Sequence, residues 1–237
     1  MAQDTSTARG PAVLLLSGGM DSATLLWWLA RQGIGPVHTL SVDYGQRHRA
    51  ELAAAAALAQ RAEVAAHTVV AVDLGAIGGS PLTNGRLAVP AASDHRQIAT
   101  VVPFRNLLFV CLAAAYAEAQ GIGDLYLAPV RDDYHSYRDC RRPFCDSVEQ
   151  TLRLGAPRDS TFRVHTPFVD RWKTEVVSLG LELGVPYAQT HTCYEGRRPA
   201  CGVCDACAER IAAFRGNRVP DPLPYEVDVD WGPPGPG

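Results

Sequence analysis

The sequence predicts an α/β protein: a doubly wound parallel sheet with helices on both faces, followed by a small C-terminal helical region that binds zinc. Short apolar runs alternate with helical patterns along most of the chain, which is typical of a parallel sheet covered by helices. The first apolar run, residues 13–16, leads straight into a glycine-rich turn. Four cysteines lie close together near the C-terminus. A chain of 237 residues is long enough for one such domain and a small appendage.

The predicted elements follow one another in a regular alternation. Continuous apolar runs indicate buried parallel strands, and apolar residues at i, i+3 and i+4 indicate helices. The predicted strands are residues 13–16, 37–42, 67–72, 124–130 and 162–165. The first helix follows the glycine-rich turn, and later helices cover about 49–66, 104–120, 143–154 and 173–183. The stretch 75–100, rich in Gly, Pro, Ser and Asn, is predicted to be a long functional or mobile loop.

The helix over 104–120 carries an apolar stripe that we expect to face the core. The stripe consists of Leu108, Cys111, Leu112 and Ala115. Cys111 is therefore predicted to be a buried core residue.

Composition and charge narrow the functional classes. The formal net charge is −3, which argues against dependence on a nucleic-acid backbone. No apolar run approaches the ~18 residues of a membrane span. The polar N-terminus has no signal-peptide pattern, so we expect a cytoplasmic protein whose cysteines are thiols or metal ligands. We divide the chain into an α/β domain at 11–185 and a C-terminal four-cysteine region at 186–218. Flexible tails are expected at 1–10 and 219–237.

The turn after the first strand has the composition of an anion site. Ser17, Gly18 and Gly19 lead into a helix whose first turn contains Asp21 and Ser22. Glycines let the backbone approach a phosphate, free N–H groups point at it, and the helix dipole favours its charge. No lysine follows in the Walker A position, so this is not the loop of a γ-phosphate transferase.

The cysteine cluster indicates a structural metal. Its members are spaced C-x7-C-x2-C-x2-C, and four thiolates form the closed tetrahedral set of structural zinc. An iron–sulfur cluster is the alternative, because four thiolates can hold one as well. The predicted ligands are Cys193, Cys201, Cys204 and Cys207.

Several sequence strings carry a family resemblance. Ser-Gly-Gly-Met-Asp-Ser at 17–22 resembles the pyrophosphate loop of the ATP pyrophosphatases. Four further strings are Val-Asp-Tyr-Gly-Gln-Arg-His at 42–48, Val-Pro-Phe-Arg-Asn at 102–106, Asp-Cys-Arg at 139–141 and His-Thr-Pro at 165–167. Thr-His-Thr-Cys-Tyr at 190–194 introduces the cysteines. In this order, from about 13 to 214, the chain resembles the 7-cyano-7-deazaguanine synthase family of the queuosine pathway.

This resemblance implies a fold of the adenine-nucleotide α-hydrolase (Rossmann-like) type and an ATP-dependent C–N ligase or nitrile synthase. ATP, with Mg²⁺, would adenylate the carboxylate of 7-carboxy-7-deazaguanine, and ammonia would displace AMP to give an amide. A second ATP would activate the amide oxygen, and loss of AMP would leave the nitrile. The resemblance also implies a homodimer.

The same resemblance suggests roles for individual residues. Arg105, Lys173 and Asp21 are the candidate catalytic groups, the two cations as clamps on phosphates and Asp21 as a turn residue or Mg²⁺ ligand. Candidate ATP-binding residues are Ser17, Gly18, Gly19, Asp21, Ser22 and Asp43. Candidate substrate-binding residues are Tyr44, Gln46, Arg47, His48, Asp133, Tyr137, Asp139 and Arg141. Arg141 is expected to meet the substrate carboxylate bidentately.

The sequence departs from the family pattern near the expected substrate pocket. Phe104 replaces a glycine, which disfavours a positive φ and fills space. Ser136 replaces a glycine and Arg138 a proline. These departures favour, as an alternative, a relative that stops at the amide or couples the heterocycle to another amine, of a small molecule or of a protein.

Three further functional classes remain open on the sequence. A tRNA-modifying enzyme with this loop and a zinc-dependent nucleic-acid module both conflict with the net charge. A nucleotide sensor without turnover differs from an enzyme only in an ATP-consumption assay.

Overall fold

The structure, a computed structural model, describes residues 10–94, 97–157 and 161–232. Within them, five parallel strands form one sheet in the order β3-β2-β1-β4-β5. The strands are β1 Ala12–Leu15, β2 Val37–Asp43, β3 Ala66–Ala71, β4 Asp124–Tyr126 and β5 Arg163–His165. The predicted doubly wound parallel sheet is confirmed.

Six α-helices connect and cover the strands. They are α1 Met20–Arg31, α2 Ala50–Arg61, α3 Arg105–Gln120, α4 Arg142–Gly155, α5 Lys173–Glu182 and α6 Asp205–Gly216. Among the described residues, no helix is both long and apolar enough to cross a membrane.

The order of the strands fixes where a ligand can enter. From β1 the chain proceeds outward through β2 to β3, then returns to the other side of β1 to form β4 and β5. The connections leaving β1 and β4 therefore diverge at the carboxyl ends of these two strands. A crevice at such a switch point is the usual ligand site of an open α/β sheet.

Alternate residues of β1 supply the two halves of the core. Leu14 points to the face covered by α1 and α5, where it packs with Leu25 and Val176. Val13 points to the opposite face, where it packs with Ala113 and Ala117 of α3. Burial on both faces explains why the strand reads as a continuous apolar run.

Gly180 sets the distance between α1 and α5. A Cβ atom at this position would lie 1.8 Å from the Tyr187 hydroxyl and 2.9 Å from the Thr24 hydroxyl. Those two hydroxyls are hydrogen-bonded to each other at 2.8 Å. Glycine therefore permits a close helix contact that holds the N-terminus of α5 beside that of α1.

The structure corrects two residues of the predicted α3 stripe, whereas Leu108 and Leu112 are partly buried against the core as expected. Cys111 is exposed rather than buried, and Ala115 is exposed as well. The buried residues are Val110, Ala113, Ala114 and Ala117. The small alanine side chains let the helix approach β1 closely. Because α3 is apolar on several faces, its periodicity does not reveal which face packs against the sheet.

The predicted flexible tail is corrected for residues 219–232. Asp221 is buried and accepts two hydrogen bonds from Arg210 of α6, at 2.6 and 2.9 Å. Tyr225 donates to Asp221 and lies beside Ala200, next to the cysteine cluster. A paired buried carboxylate needs fixed surroundings, so this segment belongs to the packed C-terminal region. Residues 1–9 and 233–237 lie outside the described residues.

Candidate active site

A pocket of about 300 Å³ opens at the switch point, between the carboxyl ends of β1 and β4. The glycine-rich loop after β1 forms one wall, and α3 with the segment after β4 forms another. The loop before the cysteine cluster and α6 complete it. The pocket brings together these sequence-predicted residues: Ser17, Gly19, Asp21, Ser22, Tyr44, His48, Arg105, Asp133, Tyr137, Asp139 and Lys173.

The loop after β1 is arranged around its own hydroxyls. Ser17 Oγ lies 3.0 Å from Ser22 Oγ and accepts a bond from the Gly19 N–H at 3.2 Å. Gly19 is the N-cap of α1. The loop thus places two hydroxyls and the free N–H groups of a helix N-terminus at the pocket wall, where they can meet phosphate oxygens.

Gly18 lies behind this wall rather than in it. Its φ is +83°, and a Cβ atom would come within 2.2 Å of the Glu51 carbonyl oxygen. A side chain is therefore excluded both by conformation and by space. Gly18 lets the loop close against α2, so that Glu51 enters the pocket wall.

Lys173, the first residue of α5, is surrounded by carboxylates. Its Nζ donates to Glu209 at 2.5 Å and lies 3.7 Å from Asp21 and 3.9 Å from Asp133. Burial alone would lower the pKa of Lys173, but the carboxylates of Asp21, Glu209 and Asp133 together raise it well above its ordinary value. Lys173 is therefore a permanently charged ammonium group.

The surroundings of Asp21 disfavour its charged form. Burial raises its pKa to about 7, against the opposing effect of Lys173. Its Oδ1 is buried and has no hydrogen-bond partner among the described residues. Burial also raises the pKa of Asp133. Lys173 therefore compensates its three carboxylates only in part, and an additional cation would fit beside Asp21.

Arg105, the first residue of α3, has a different environment. Its Nη1 donates to the Tyr44 hydroxyl at 3.3 Å, and the guanidinium lies 5.8 Å from the centre of that ring. Tyr137 and Tyr194 line the same pocket as Arg105. In the described part of the chain, no carboxylate forms an ion pair with Arg105. A largely buried guanidinium without a counter-charge is a site for an anionic ligand.

A second polar group lies next to Tyr44. The His48 Nε2 atom is 3.4 Å from the Tyr44 hydroxyl and 3.4 Å from Glu51 Oε2. Glu51 Oε1 accepts a bond from Gln46 at 2.8 Å. The Tyr44 hydroxyl therefore joins the Arg105 guanidinium to an imidazole and a carboxylate.

Five predicted site residues do not line the pocket, and four of them hold loops in place. Gly18 is described above. Asp43 pairs with Arg49. Gln46 bonds Val42, Tyr44 and Glu51. Arg47 pairs with Glu195 at 2.8 Å and donates to the Leu87 carbonyl. Arg141 is exposed and donates twice to the Tyr134 carbonyl, so the structure does not place it where a substrate carboxylate could enter.

Three departures from the family pattern, at Phe104, Ser136 and Arg138, lie outside the pocket lining. Phe104 adopts the left-handed conformation, with φ 53°, although this conformation is disfavoured for an aromatic residue. Its side chain is 78% exposed and does not line the pocket. Ser136 and Arg138 contribute no lining atoms either. The backbone at Phe104 keeps the turn that aims Arg105 inward.

The four predicted metal ligands come together as one buried group. The sulfur atoms of Cys193, Cys201, Cys204 and Cys207 lie within 4.8 Å of one another. The Cys201 and Cys204 N–H groups point at sulfur atoms of the cluster, each at 3.4 Å. Such donors stabilise thiolates, and the geometry can hold a metal ion.

Sequence reasoning missed several pocket residues. Glu51 follows His48 by three positions, and this helical spacing was the only local signal for it. Glu209 of α6 carried no signal, since its partner Lys173 is distant along the chain. His191 and Tyr194 were noticed only as parts of a string, yet both line the pocket.

Comparison with known proteins agrees with this architecture. The model of the family described as "Queuosine biosynthesis protein QueC" matches residues 11–218. The chain belongs to this family. A 7-cyano-7-deazaguanine synthase from Clostridium kluyveri is 39% identical over 221 residues, which are 91% of this chain and 97% of that protein. Another from Cyanothece sp. is 43% identical over 226 residues, covering 90% and 98%.

A solved structure shows the same fold at low identity. The NMN synthetase from Francisella tularensis is 16% identical, with a TM-score of 0.51, and the similarity covers 89% of this chain and 78% of that chain. In this QueC family member, the matched segment includes both the loop after β1 and the four cysteines.

Proposed function

We propose that this QueC family member converts 7-carboxy-7-deazaguanine and ammonia to 7-cyano-7-deazaguanine, with two ATP consumed to AMP and pyrophosphate. The uncompensated Arg105 beside the helix-terminal loop carries the proposal, because the pocket thus offers one site for a carboxylate and another for phosphates. The relatives named 7-cyano-7-deazaguanine synthase support it.

Arg105 would bind the substrate carboxylate. The Tyr44 ring lies beside the guanidinium, and Tyr137 and Tyr194 line the same pocket, so the three residues provide flat surfaces and hydroxyl groups for the heterocycle. This assignment gives Arg105 the role that the sequence suggested for Arg141, and it leaves the phosphates to the loop and Lys173.

The adenylation step would occur between these two regions. A carboxylate oxygen attacks the α-phosphorus of ATP, and the bond to pyrophosphate breaks with its electron pair on the leaving oxygen. The N–H groups at the start of α1, the hydroxyls of Ser17 and Ser22 and the Lys173 ammonium would stabilise the charge that develops there. Ammonia then displaces AMP to form the amide, whose oxygen is adenylated in turn before the nitrile forms.

Two metal ions belong to the proposal. Zn²⁺ would bind the four cysteines and supply structural stability, with no part in the chemistry. Metal analysis of the purified protein should give one zinc per chain, and iron instead would point to a cluster. Mg²⁺ accompanying ATP would neutralise phosphate charge, and the unpartnered Asp21 Oδ1 fits a ligand for it.

Mass spectrometry tests the reaction directly. Purified protein is incubated with Mg·ATP, 7-carboxy-7-deazaguanine and ammonium chloride, and the heterocycle, AMP and pyrophosphate are followed. We expect the nitrile with two AMP per heterocycle. Accumulation of amide, or a requirement for another amine, would contradict the proposed product. Absence of AMP would contradict the whole assignment.

The proposed enzyme is a homodimer that uses free ammonia. Light scattering at micromolar protein concentration measures the first property. Omission of ammonium from the reaction tests the second.

A further inference from the structure

We propose that Glu51, together with His48 and Tyr44, forms the site that binds ammonium and removes its proton before it attacks the adenylated substrate. This inference rests on the proposed function, since it assigns the nitrogen-binding part of the same pocket. It adds Glu51, which no sequence motif indicated, to the reacting groups.

The chemistry of the cluster suits a small cation. Glu51 can only accept hydrogen bonds, its side chain is 14% exposed, and its Oε1 is held by Gln46. Oε2 lies 3.4 Å from the His48 Nε2 atom, a long and weak contact, so Oε2 can accept a hydrogen bond from a stronger donor. In the described part of the chain, no lysine or arginine is paired with Glu51.

Aromatic rings complete the surroundings. The Tyr44 ring packs against Phe109 with centroids 5.2 Å apart, and the His48 ring packs against Tyr194 at 5.8 Å. Tyr44, Phe109 and Tyr194 all line the pocket. Aromatic faces attract an ammonium ion, and a carboxylate among them strengthens that attraction because water is largely excluded.

The cluster also lies in the right place for attack. The Tyr44 hydroxyl is 3.3 Å from Arg105 Nη1 and 3.4 Å from His48 Nε2. A substrate carboxylate on Arg105 and an ammonium ion on Glu51 would therefore flank the same hydroxyl. Glu51 lines the same pocket as Arg105 and the loop residues Ser17 and Gly19, so the nucleophile, the acyl carbon and the nucleotide would share one cavity.

The proposed step balances as follows. Ammonium transfers one proton to the Glu51–His48 pair, and the freed lone pair forms a bond to the acyl carbon. The bond from that carbon to the AMP oxygen breaks, and its electron pair leaves with AMP. The nitrogen then loses a second proton to solvent, which leaves the neutral amide.

Other charged and titratable groups face His48. They are Glu51 from α2, Tyr44 after β2, and His191 and Tyr194 from the segment before the cysteine cluster, with Arg105 of α3 beyond Tyr44.

Three assays on the complete enzyme with Glu51→Gln test this assignment. Exchange of labelled pyrophosphate into ATP, dependent on 7-carboxy-7-deazaguanine, reports adenylation alone. Amide and nitrile formation is measured against ammonium concentration. Hydroxylamine, a nucleophile that is uncharged at about pH 8, is offered in place of ammonium, and the hydroxamate is measured.

We expect E51Q to keep exchange and hydroxamate formation within about 3-fold of wild type, while ammonium-dependent amide formation falls about 10²-fold or more. H48Q should show the same selective loss, and E51D a partial recovery. The matched control is E63Q, at an exposed glutamate in the turn just beyond the C-terminus of the same helix, which should match wild type in all three assays.

Two outcomes would overturn the inference: an unchanged ammonium dependence in E51Q, or equal losses of exchange, hydroxamate and amide. The second outcome would make Glu51 a structural support for the loop. If wild-type protein shows no substrate-dependent exchange, the proposed function itself fails, and that result is independent of any variant.

Discussion

Lys173 and Arg105 occupy matching places in the fold but have opposite surroundings. Each is the first residue of a helix, and each enters the same pocket. Lys173 contacts Asp21, Asp133 and Glu209. Arg105 contacts the hydroxyl group and the ring of Tyr44. A helix N-terminus does not favour a cation, so neither position is explained by helix stability.

These different surroundings give the two buried cations different roles. The charge of Lys173 is needed for folding, because three carboxylates depend on it before any ligand arrives. The charge of Arg105 remains available for a ligand. The phosphate side of the pocket is thus held together by its own charges, whereas the side that would hold the heterocycle carries unused positive charge.

Replacement of Lys173 should have the largest effect on stability. K173M leaves the carboxylates of Asp21, Asp133 and Glu209 without their cation, and we expect the free energy of unfolding to fall by about 3–5 kcal/mol. Urea unfolding at about pH 8 without ligands measures it. R105M is the matched control and should lose less than ~1 kcal/mol, since it removes an uncompensated charge. Equal losses would contradict the comparison.

Replacement of Arg105 should impair substrate use far more than it lowers the stability of the protein. R105M should lower kcat/KM for the carboxylate substrate in pyrophosphate exchange by about 10²–10³-fold, because a desolvated ionic contact is lost. R105K keeps the charge without the planar fork, and we expect partial activity. An unchanged KM for 7-carboxy-7-deazaguanine in R105M would show that the carboxylate binds elsewhere.

The pH dependence of stability should reveal the strain at Asp21. The pKa of Asp21 is about 7 in the folded protein, which lies above its pKa in the unfolded chain. Protonation of Asp21 therefore stabilises the folded protein. This contribution to the free energy of unfolding is complete below about pH 4 and is lost as the pH rises through 7. Asn imitates the protonated acid. The difference in free energy of unfolding between D21N and wild type should therefore favour D21N by about 1–3 kcal/mol more at pH 8 than at pH 5. Urea titrations without metal measure it. A constant difference across this range would argue against a protonated Asp21.

The smallest expected effect concerns the turn that aims Arg105. F104G relieves the left-handed strain at a side chain that is 78% exposed, so little burial is lost. The greater conformational freedom of glycine in the unfolded chain offsets part of this relief. We therefore expect the free energy of unfolding to rise by about 0.5–1 kcal/mol. Thermal unfolding measures it, with F104A as the control that keeps most of the strain. Activity should stay within about 3-fold, and a larger loss would give the Phe104 ring a role in binding.

The sequence by itself determined the features that depend on neighbours along the chain. Apolar runs such as 13–16 fixed the buried parallel strands, because both faces of such a strand are covered. The glycine-rich turn fixed the loop, since only glycine fits where Gly18 meets Glu51. The spacing of the four cysteines fixed the ligand set, because short spacings leave thiolates few other arrangements.

Only the tertiary structure decided which charges face one another. Lys173 meets Glu209, and Arg105 meets Tyr44, across long separations in sequence that no local pattern encodes. For the same reason, Arg47 and Arg141 resembled ligand-binding residues in the sequence but hold loops in the structure. The inner face of α3 was also decided by packing, because a helix that is apolar on several sides can bury any of them until the sheet selects the alanines.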